Sequence, residues 1–167
     1  MIEIESGSGG RPGLARLEPT DGDLVVRLFH RLSPESVYRR FFSPTSKPDL
    51  LVASVLRVDH HDREAVAAVE GGEVIGVAQY ARLAGADEAD LAIAVADGWQ
   101  RQGIGTRLVA ALAERARAEG IAAFAVDVQG DNFGALKLLR RVAPDIRLVF
   151  ASGVGEGRIR LDKDETR

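Results

Sequence analysis

Residues 91–106 read Leu-Ala-Ile-Ala-Val-Ala-Asp-Gly-Trp-Gln-Arg-Gln-Gly-Ile-Gly-Thr, and this stretch decides the fold. Residues 91–96 form an apolar run of strand length. Asp97 and Gly98 then interrupt it with residues typical of a turn. From Ile104 onward the apolar residues recur at helical spacing, with Leu108 and Leu112 on the same face. The stretch therefore predicts a strand, a glycine-bearing turn and the start of a helix.

This turn has the features of an anion site built from backbone. The first N–H groups of a helix have no intrahelical partner, and the helix macrodipole adds partial positive charge there. Gly103 and Gly105 lack the Cβ atoms that would hold a diphosphate away from these N–H groups. Neighbouring side chains can add hydrogen-bond donors: Gln100, Arg101, Gln102 and Thr106. The same glycine spacing also occurs in tight turns with close helix packing, and the sequence leaves that alternative open.

The order of the glycines distinguishes between types of phosphate-binding turn. A nucleotide-hydrolase loop needs Gly-Lys-Ser/Thr, which is absent, and a dinucleotide fingerprint needs a third glycine where Leu108 stands. The segment from Gln100 to Gly105 instead resembles the Gln/Arg-x-x-Gly-x-Gly/Ala signature of the GNAT N-acetyltransferases. The resemblance implies acetyl-CoA as co-substrate, with its pyrophosphate on this turn. The residues implied to bind it are Gln100, Arg101, Gln102, Gly103, Ile104, Gly105 and Thr106.

Composition excludes several classes of function. The chain has 167 residues, 46% hydrophobic and 28% charged, which suits one ordinary globular domain. The net charge of −3 gives no electrostatic reason to expect nucleic acid or an anionic membrane as a partner. The absence of cysteine excludes disulfides and thiolate chemistry. We find no apolar run near the roughly 20 residues of a membrane span and no signal-peptide pattern, so we expect a cytoplasmic protein. The abundance of Ala and Arg suggests a bacterial source.

The remaining patterns predict a single domain. Residues 1–13 are expected to form a flexible leader, residues 14–161 the domain and residues 162–167 a charged tail. The predicted order is a strand, three helices, an antiparallel hairpin around Glu70–Glu73, the central strand, helix, strand, helix and a closing hairpin. This is a mixed α/β sheet with helices on both faces. The resemblance implies the GNAT fold, in which the sheet is mostly antiparallel and splayed.

Three local signals refine this outline. Residues 20–23, Thr-Asp-Gly-Asp, predict a capping box at the first helix. Ser33 followed by Pro34 predicts the start of the second helix. The closing hairpin is predicted over residues 146–150 and 157–161.

A general base is suggested by the start of the central strand. Residues 32–42 resemble a segment of the GNAT branch that includes bacterial protein-lysine acetyltransferases. In that branch an acidic residue, usually Glu, stands where this chain has Asp90. A carboxylate in a partly desolvated cleft can take a proton from an ammonium nucleophile, directly or through water. Asp90 is therefore the first candidate for the base and Glu88 the second, while a solvated carboxylate at a strand edge is the alternative for Asp90.

The resemblance also implies residues that hold the rest of the cofactor. Ala94 and Val95 match the place where GNAT strands bind the pantetheine arm through backbone hydrogen bonds. Asn132 matches a second coenzyme A motif, although its residue type equally predicts a helix N-cap. Many members have a Tyr that protonates the leaving thiolate where this chain has Leu139. Because a thiol has a pKa of about 8.5, coenzyme A can leave as the thiolate without that Tyr.

The sequence thus predicts an N-acetyltransferase that moves acetyl from acetyl-CoA to a primary amine in a ternary complex. The acceptor is a protein lysine by resemblance to the branch, or a small amine. The alternative is a non-catalytic acyl-CoA-binding module that no longer turns over. No metal is expected, because the adjacent His60 and His61 have no third ligand at a suitable spacing and more often lie in solvent. A homodimer is compatible with the sequence.

Overall fold

A single sheet forms the centre of the protein, as seen in a computed structural model that describes residues 4–5, 10–42 and 45–161. The sheet has eight strands in the order β1-β2-β3-β4-β5-β6-β8-β7. All neighbouring strands are antiparallel except β5 and β6, which are parallel. The strands are β1 (Ile4–Glu5), β2 (Gly13–Arg16), β3 (Arg63–Glu70), β4 (Glu73–Arg82), β5 (Glu88–Val95), β6 (Ala123–Gln129), β7 (Val149–Ala151) and β8 (Val154–Arg160).

Helices cover both faces of this sheet. They are α1 (Gly22–His30), α2 (Pro34–Phe41), α3 (Asp49–Leu56), α4 (Ile104–Ala118) and α5 (Phe133–Val142). The predicted fold class, a mostly antiparallel mixed sheet with helices on both faces, is confirmed. Within the described residues, no helix combines the length and the apolar composition needed to cross a membrane.

Strand β3 shows how one sheet serves two cores. Successive side chains of a strand point to opposite faces, and both sets of β3 side chains are buried. Val66 and Ala68 belong to the core beneath α4 and α5, while Ala65 and Ala67 belong to the core beneath α1 to α3. A strand buried on both faces reads as a continuous apolar run, which is why the alternation in β3 is weak.

The helix ends follow local chemistry with one exception. Ser33 caps α2 as predicted, since its side chain accepts a hydrogen bond from the Ser36 backbone N–H at 3.1 Å. Gly120 lies just beyond α4 with φ +76°, a conformation that suits glycine. The predicted capping box at α1 is wrong. The side chain of Asp21 accepts from the Glu18 N–H at 2.8 Å and caps no helical N–H.

The two ends of the predicted domain also differ from expectation. Part of the predicted leader, Ile4–Glu5, is strand β1, which pairs with Leu14 and Ala15 of β2. The strand predicted at residue 146 begins only at Val149, and its partner β8 already begins at Val154. The predicted charged tail, residues 162–167, lies outside the described residues.

The two adjacent histidines pair with carboxylates. His60 lies between Glu18 and Glu64, with ring nitrogen to oxygen distances of 2.9 Å and 2.8 Å. His61 contacts Glu119. Desolvation lowers the pKa of His60, but the hydrogen bonds with Glu18 and Glu64 outweigh it, so the pKa lies above its usual value. The hydrogen bond with Glu119 raises the pKa of His61. The sequence did not predict that these histidines are paired with carboxylates.

Stability should therefore depend on pH through His60. A group whose pKa is raised in the folded state stabilises most below its unfolded pKa of about 6.5, and this contribution is lost as pH rises through the folded value. His60→Gln should lower the melting temperature by roughly 1–2 °C more at pH 5.5 than at pH 8.5. Thermal unfolding at both pH values measures this difference. His30→Gln, an exposed histidine with no carboxylate partner among the described residues, is the control. Equal losses at both pH values would contradict the prediction.

Candidate active site

The site is organised by the point where β5 and β6 separate. Their parallel pairing runs from Glu88 opposite Ala123 to Asp90 opposite Ala125 and ends there. Beyond it, β5 continues to Val95 along β4 alone, while β6 continues to Gln129 along β8. The two strands therefore leave a gap whose sides carry backbone groups of residues 91–95 and 126–129.

The ladder between β4 and β5 decides which backbone groups face this gap. Ala96 N–H donates to the Ile75 carbonyl at 2.8 Å, so Ala96 belongs to a hydrogen-bonded pair of the antiparallel ladder. Since such pairs alternate with non-bonded ones, Ala94 also faces β4, and Val95 faces the gap. In this register the backbone of Val95 faces the gap and the backbone of Ala94 faces β4, while the pantetheine contacts of both residues stay predictions. The Val95 carbonyl accepts from the side chain of Gln100 at 2.9 Å.

The turn before α4 presents a row of free donors. Gly103 has φ +79° and Arg101 has φ +63°, which turn the chain sharply into the helix. Within the described part of the chain, the backbone N–H groups of residues 101–106 donate to no protein acceptor. Free N–H groups at a helix N-terminus, together with the macrodipole, suit a diphosphate. The residues present at this turn thus fit the pyrophosphate of coenzyme A.

The presence of glycine at each of the two positions of the turn has a different physical explanation. A Cβ on Gly103 would meet nothing within 4 Å, so its positive φ is the reason for glycine there. A Cβ on Gly105 would lie 2.4 Å from Cδ1 of Leu138 on α5. Gly105 therefore allows the Leu138 side chain of α5 to pack closely on α4, which is the alternative that the sequence left open, and a larger residue would require that side chain to move.

Asn132 acts as the N-cap of α5, because its Oδ1 accepts from the Ala135 N–H at 3.2 Å. The capping prediction is therefore confirmed, and the contact with a cofactor stays a prediction. Leu139, at the position where many family members have Tyr, is 5% exposed and packs in the core.

Helix α2 forms one wall of a cavity next to the end of β6. A cavity of about 530 Å³ is lined by three segments: Glu35, Tyr38 and Arg39 of α2, Gln129 to Asp131 after β6, and Ser152 to Val154 of the β7–β8 turn. These segments are far apart in the sequence and carry no shared motif. The other tyrosine, Tyr80, does not reach this cavity. It is buried, its hydroxyl donates to the His61 carbonyl at 2.9 Å, and burial raises its pKa to about 12.

Hydrogen bonds fix α2 to the turn before α4. The Ser33 N–H donates to the carboxylate of Asp97 at 2.8 Å. The side-chain amide of Gln100, which binds the Val95 carbonyl, also donates to the Ser36 hydroxyl at 3.2 Å. Gln102 donates from its side chain to the Gly98 carbonyl at 3.3 Å. The start of α2 is thus held over the gap by the segment that is predicted to bind the cofactor.

The two candidate bases stand at the closed end of the gap in different surroundings. Glu88 accepts from Arg158 at 2.7 Å, so its carboxylate is engaged in an ion pair. Asp90 has no cation partner among the described residues. Desolvation, followed by the negative charges of Asp127 and Glu88, raises the pKa of Asp90. A raised pKa with the carboxylate still accessible suits proton removal from an amine.

This geometry agrees with what is known of similar proteins. The sequence model of the Acetyltransferase (GNAT) family matches residues 28–143, which include α2, the gap, the turn and α5. The chain belongs to the GNAT acetyltransferase family. Membership of this GNAT domain supports an acyl-CoA-dependent acyltransferase.

Individual relatives of this GNAT domain fall in the expected branch. Acetyltransferase Pat of Mycolicibacterium smegmatis is 34% identical over 113 residues, 66% of this chain and 34% of Pat. The crystal structure of the GNAT domain of S. lividans PAT has 28% identity and a TM-score of 0.83, and the match covers 95% of this chain and 96% of that one. The resemblance to the bacterial protein acetyltransferase branch is thereby confirmed.

A second solved structure is similar in fold alone. A putative acetyltransferase from Salmonella typhimurium, determined with its cofactor acetyl-CoA, has 15% identity and a TM-score of 0.70, over 92% of this chain and 95% of that chain. The GNAT domain described here spans about a third of the length of Pat. The match thus leaves about two thirds of Pat without a counterpart in this chain.

Proposed function

We propose that this GNAT domain transfers acetyl from acetyl-CoA to a primary amine by direct attack in a ternary complex. The observation that carries the proposal is the continuous arrangement of free N–H groups at residues 101–106, an open gap beside Val95 and an unpaired carboxylate at Asp90. Each part matches a separate chemical need: an anion site, a backbone edge for an amide-rich arm, and a base.

Each group has a definite task in this proposal. Acetyl-CoA, when bound, supplies the acetyl thioester. The N–H groups of residues 101–106 bind and orient its diphosphate, and the Val95 backbone aligns the arm along β5. Asp90 accepts a proton from the acceptor's ammonium group, directly or through water, so that the nitrogen gains a free lone pair. Glu88 is the second candidate for this step, and Asn132 is proposed to contact the cofactor while it caps α5.

The acceptor is proposed to be a protein lysine, on the basis of the relatives, with a small amine as the alternative. The cavity between α2 and the β7–β8 turn carries Glu35, Arg39 and Asp131 at its rim and is open to solvent, which suits a polar chain. A cytoplasmic location and a homodimer stay predictions.

A non-catalytic acyl-CoA-binding module is the second candidate. The observation that favours it is Leu139, because this core position offers no proton donor for a leaving thiolate. Binding of acetyl-CoA without acetylation of any amine would support this second candidate.

The first experiment is calorimetry with acetyl-CoA. We expect acetyl-CoA to bind with a dissociation constant in the micromolar range. An adenine dinucleotide should not displace it, because the gap beside Val95 should recognise the pantetheine arm that dinucleotides lack. A panel of N-α-blocked lysine amide, lysine peptides, polyamines and aminoglycosides then identifies the acceptor. Absence of acetyl-CoA binding would show that the glycine turn serves only packing, and the proposed function would fall.

A further inference from the structure

Asp127 stands across the gap from the proposed base. It is an exposed residue of β6, two positions beyond Ala125, which pairs with Asp90. Because side chains two residues apart in a strand share a face, Asp127 lies on the same face as Ala125 and Asp90. The carboxylates of Asp90 and Asp127 thus flank the point where β5 and β6 separate.

Asp127 is placed against another negative charge. Its partner in the antiparallel ladder is Glu156 of β8, and like charges directly opposite each other destabilise a sheet. Among the described residues, neither Asp127 nor Asp90 forms an ion pair, whereas Glu88 on the same face is paired with Arg158 at 2.7 Å. On this face, Glu88 is therefore neutralised by Arg158, whereas Asp90 and Asp127, which border the gap, are available to a cation.

We propose that Asp127 is a positioning residue of the acceptor site, which together with Asp90 holds the acceptor's ammonium group where β5 and β6 separate. The proposal rests on the proposed function, since that function supplies the ammonium group. Asp127 binds the cation, and Asp90 removes its proton. A neutral or anionic acceptor gains nothing from this pair, so Asp127 selects for acceptors that arrive protonated.

The electrostatics of Asp90 agree with this assignment. Desolvation is the first cause that raises the pKa of Asp90, and the charge of Asp127 is the second. The charge of Glu88 is the third cause, although Glu88 is paired with Arg158. Glu156 lies opposite Asp127 on β8, whereas Glu35 is paired with Arg39 and Arg40 donates to Ser54. Removing the charge of Asp127 should therefore lower the pKa of Asp90.

The test compares Asp127→Asn with Glu156→Gln, which removes an equal charge from the neighbouring strand. Two readouts are used with the full chain: an NMR titration of the Asp90 carboxyl carbon, and steady-state kinetics with N-α-blocked lysine amide as acceptor. For Asp127→Asn we expect the Asp90 titration to move to lower pH by roughly half a unit. The acceptor KM should rise roughly 5- to 20-fold, and the acid limb of kcat/KM should move with the titration. Glu156→Gln should change each readout far less.

An unmoved Asp90 titration in Asp127→Asn would overturn the inference, and so would equal effects of both variants, which would indicate a diffuse field. Both differ from failure of the proposed function, in which the wild-type chain acetylates no amine. Because the titration needs no turnover, it tests the pairing of Asp90 with Asp127 in either case. A loss of kcat alone, with acceptor KM unchanged, would also contradict a role in holding the ammonium group.

Discussion

Asp90→Asn is expected to lower kcat by roughly 10²–10⁴-fold while the dissociation constant of acetyl-CoA changes less than about twofold. Asparagine has the shape of aspartate but cannot accept the proton that an ammonium group must lose. Asp90 lies at the closed end of the gap, and the donors predicted to bind the diphosphate lie at residues 101–106, so the two functions should separate. Steady-state kinetics with the acceptor from the panel, beside calorimetry with acetyl-CoA, measures both.

The pH dependence makes this prediction specific to a base. As pH approaches the pKa of a lysine amine, about 10.4, the acceptor arrives already deprotonated and the deficit of Asp90→Asn should shrink. Glu88→Gln is the matched variant, and we expect a smaller loss because Glu88 is paired with Arg158. If kcat is unchanged in Asp90→Asn, or falls further in Glu88→Gln than in Asp90→Asn, Asp90 is not the general base.

The parts of the fold that the sequence predicts correctly depend on short-range signals. The strand, turn and helix over residues 91–118 follow from a change of apolar period, and the β3–β4 hairpin follows from Gly71 and Gly72. Strand β1 was missed because it has two residues and exists through its pairing with β2. The capping box predicted over residues 20–23 is absent because the helix begins after Asp21, whose side chain bonds to the preceding turn, and residue type does not distinguish these alternatives.

In the candidate site too, features that depend on short-range signals could be predicted and features that depend on distant contacts could not. The anion turn could be predicted because its chemistry lies within residues 100–106. The hydrogen bonds that fix α2 to this turn could not be predicted, since they join Ser33 to Asp97 and Ser36 to Gln100 and no local pattern indicates them. The role of Gly105 depends likewise on Leu138 of another helix. That the backbone of Val95, rather than that of Ala94, faces the gap follows from the register of β5 against β4, which composition and spacing do not specify.

Arg101→Glu is the second large effect that we expect. Arg101 is exposed at the turn, with φ +63°, and neither arginine nor glutamate is favoured there over the other. The change replaces a positive charge by a negative one beside the predicted diphosphate seat. We expect the dissociation constant of acetyl-CoA to rise roughly 10- to 100-fold at low salt, and this ratio to fall at high salt because the charges are exposed.

Variants of the same turn separate this electrostatic effect from damage to the fold. Gly105→Glu is unsuitable, because its side chain would meet Leu138 and loosen α4 from α5 whether or not phosphate binds. Arg57→Glu makes the same charge reversal at an exposed position beyond α3, remote from the turn, and should leave acetyl-CoA affinity unchanged. Arg101→Gln should give an intermediate loss, since it removes the positive charge without adding a negative one. If both reversals weaken acetyl-CoA equally, net charge rather than the turn governs affinity. If Arg101→Glu has no effect, the free N–H groups of residues 101–106 do not bind the diphosphate.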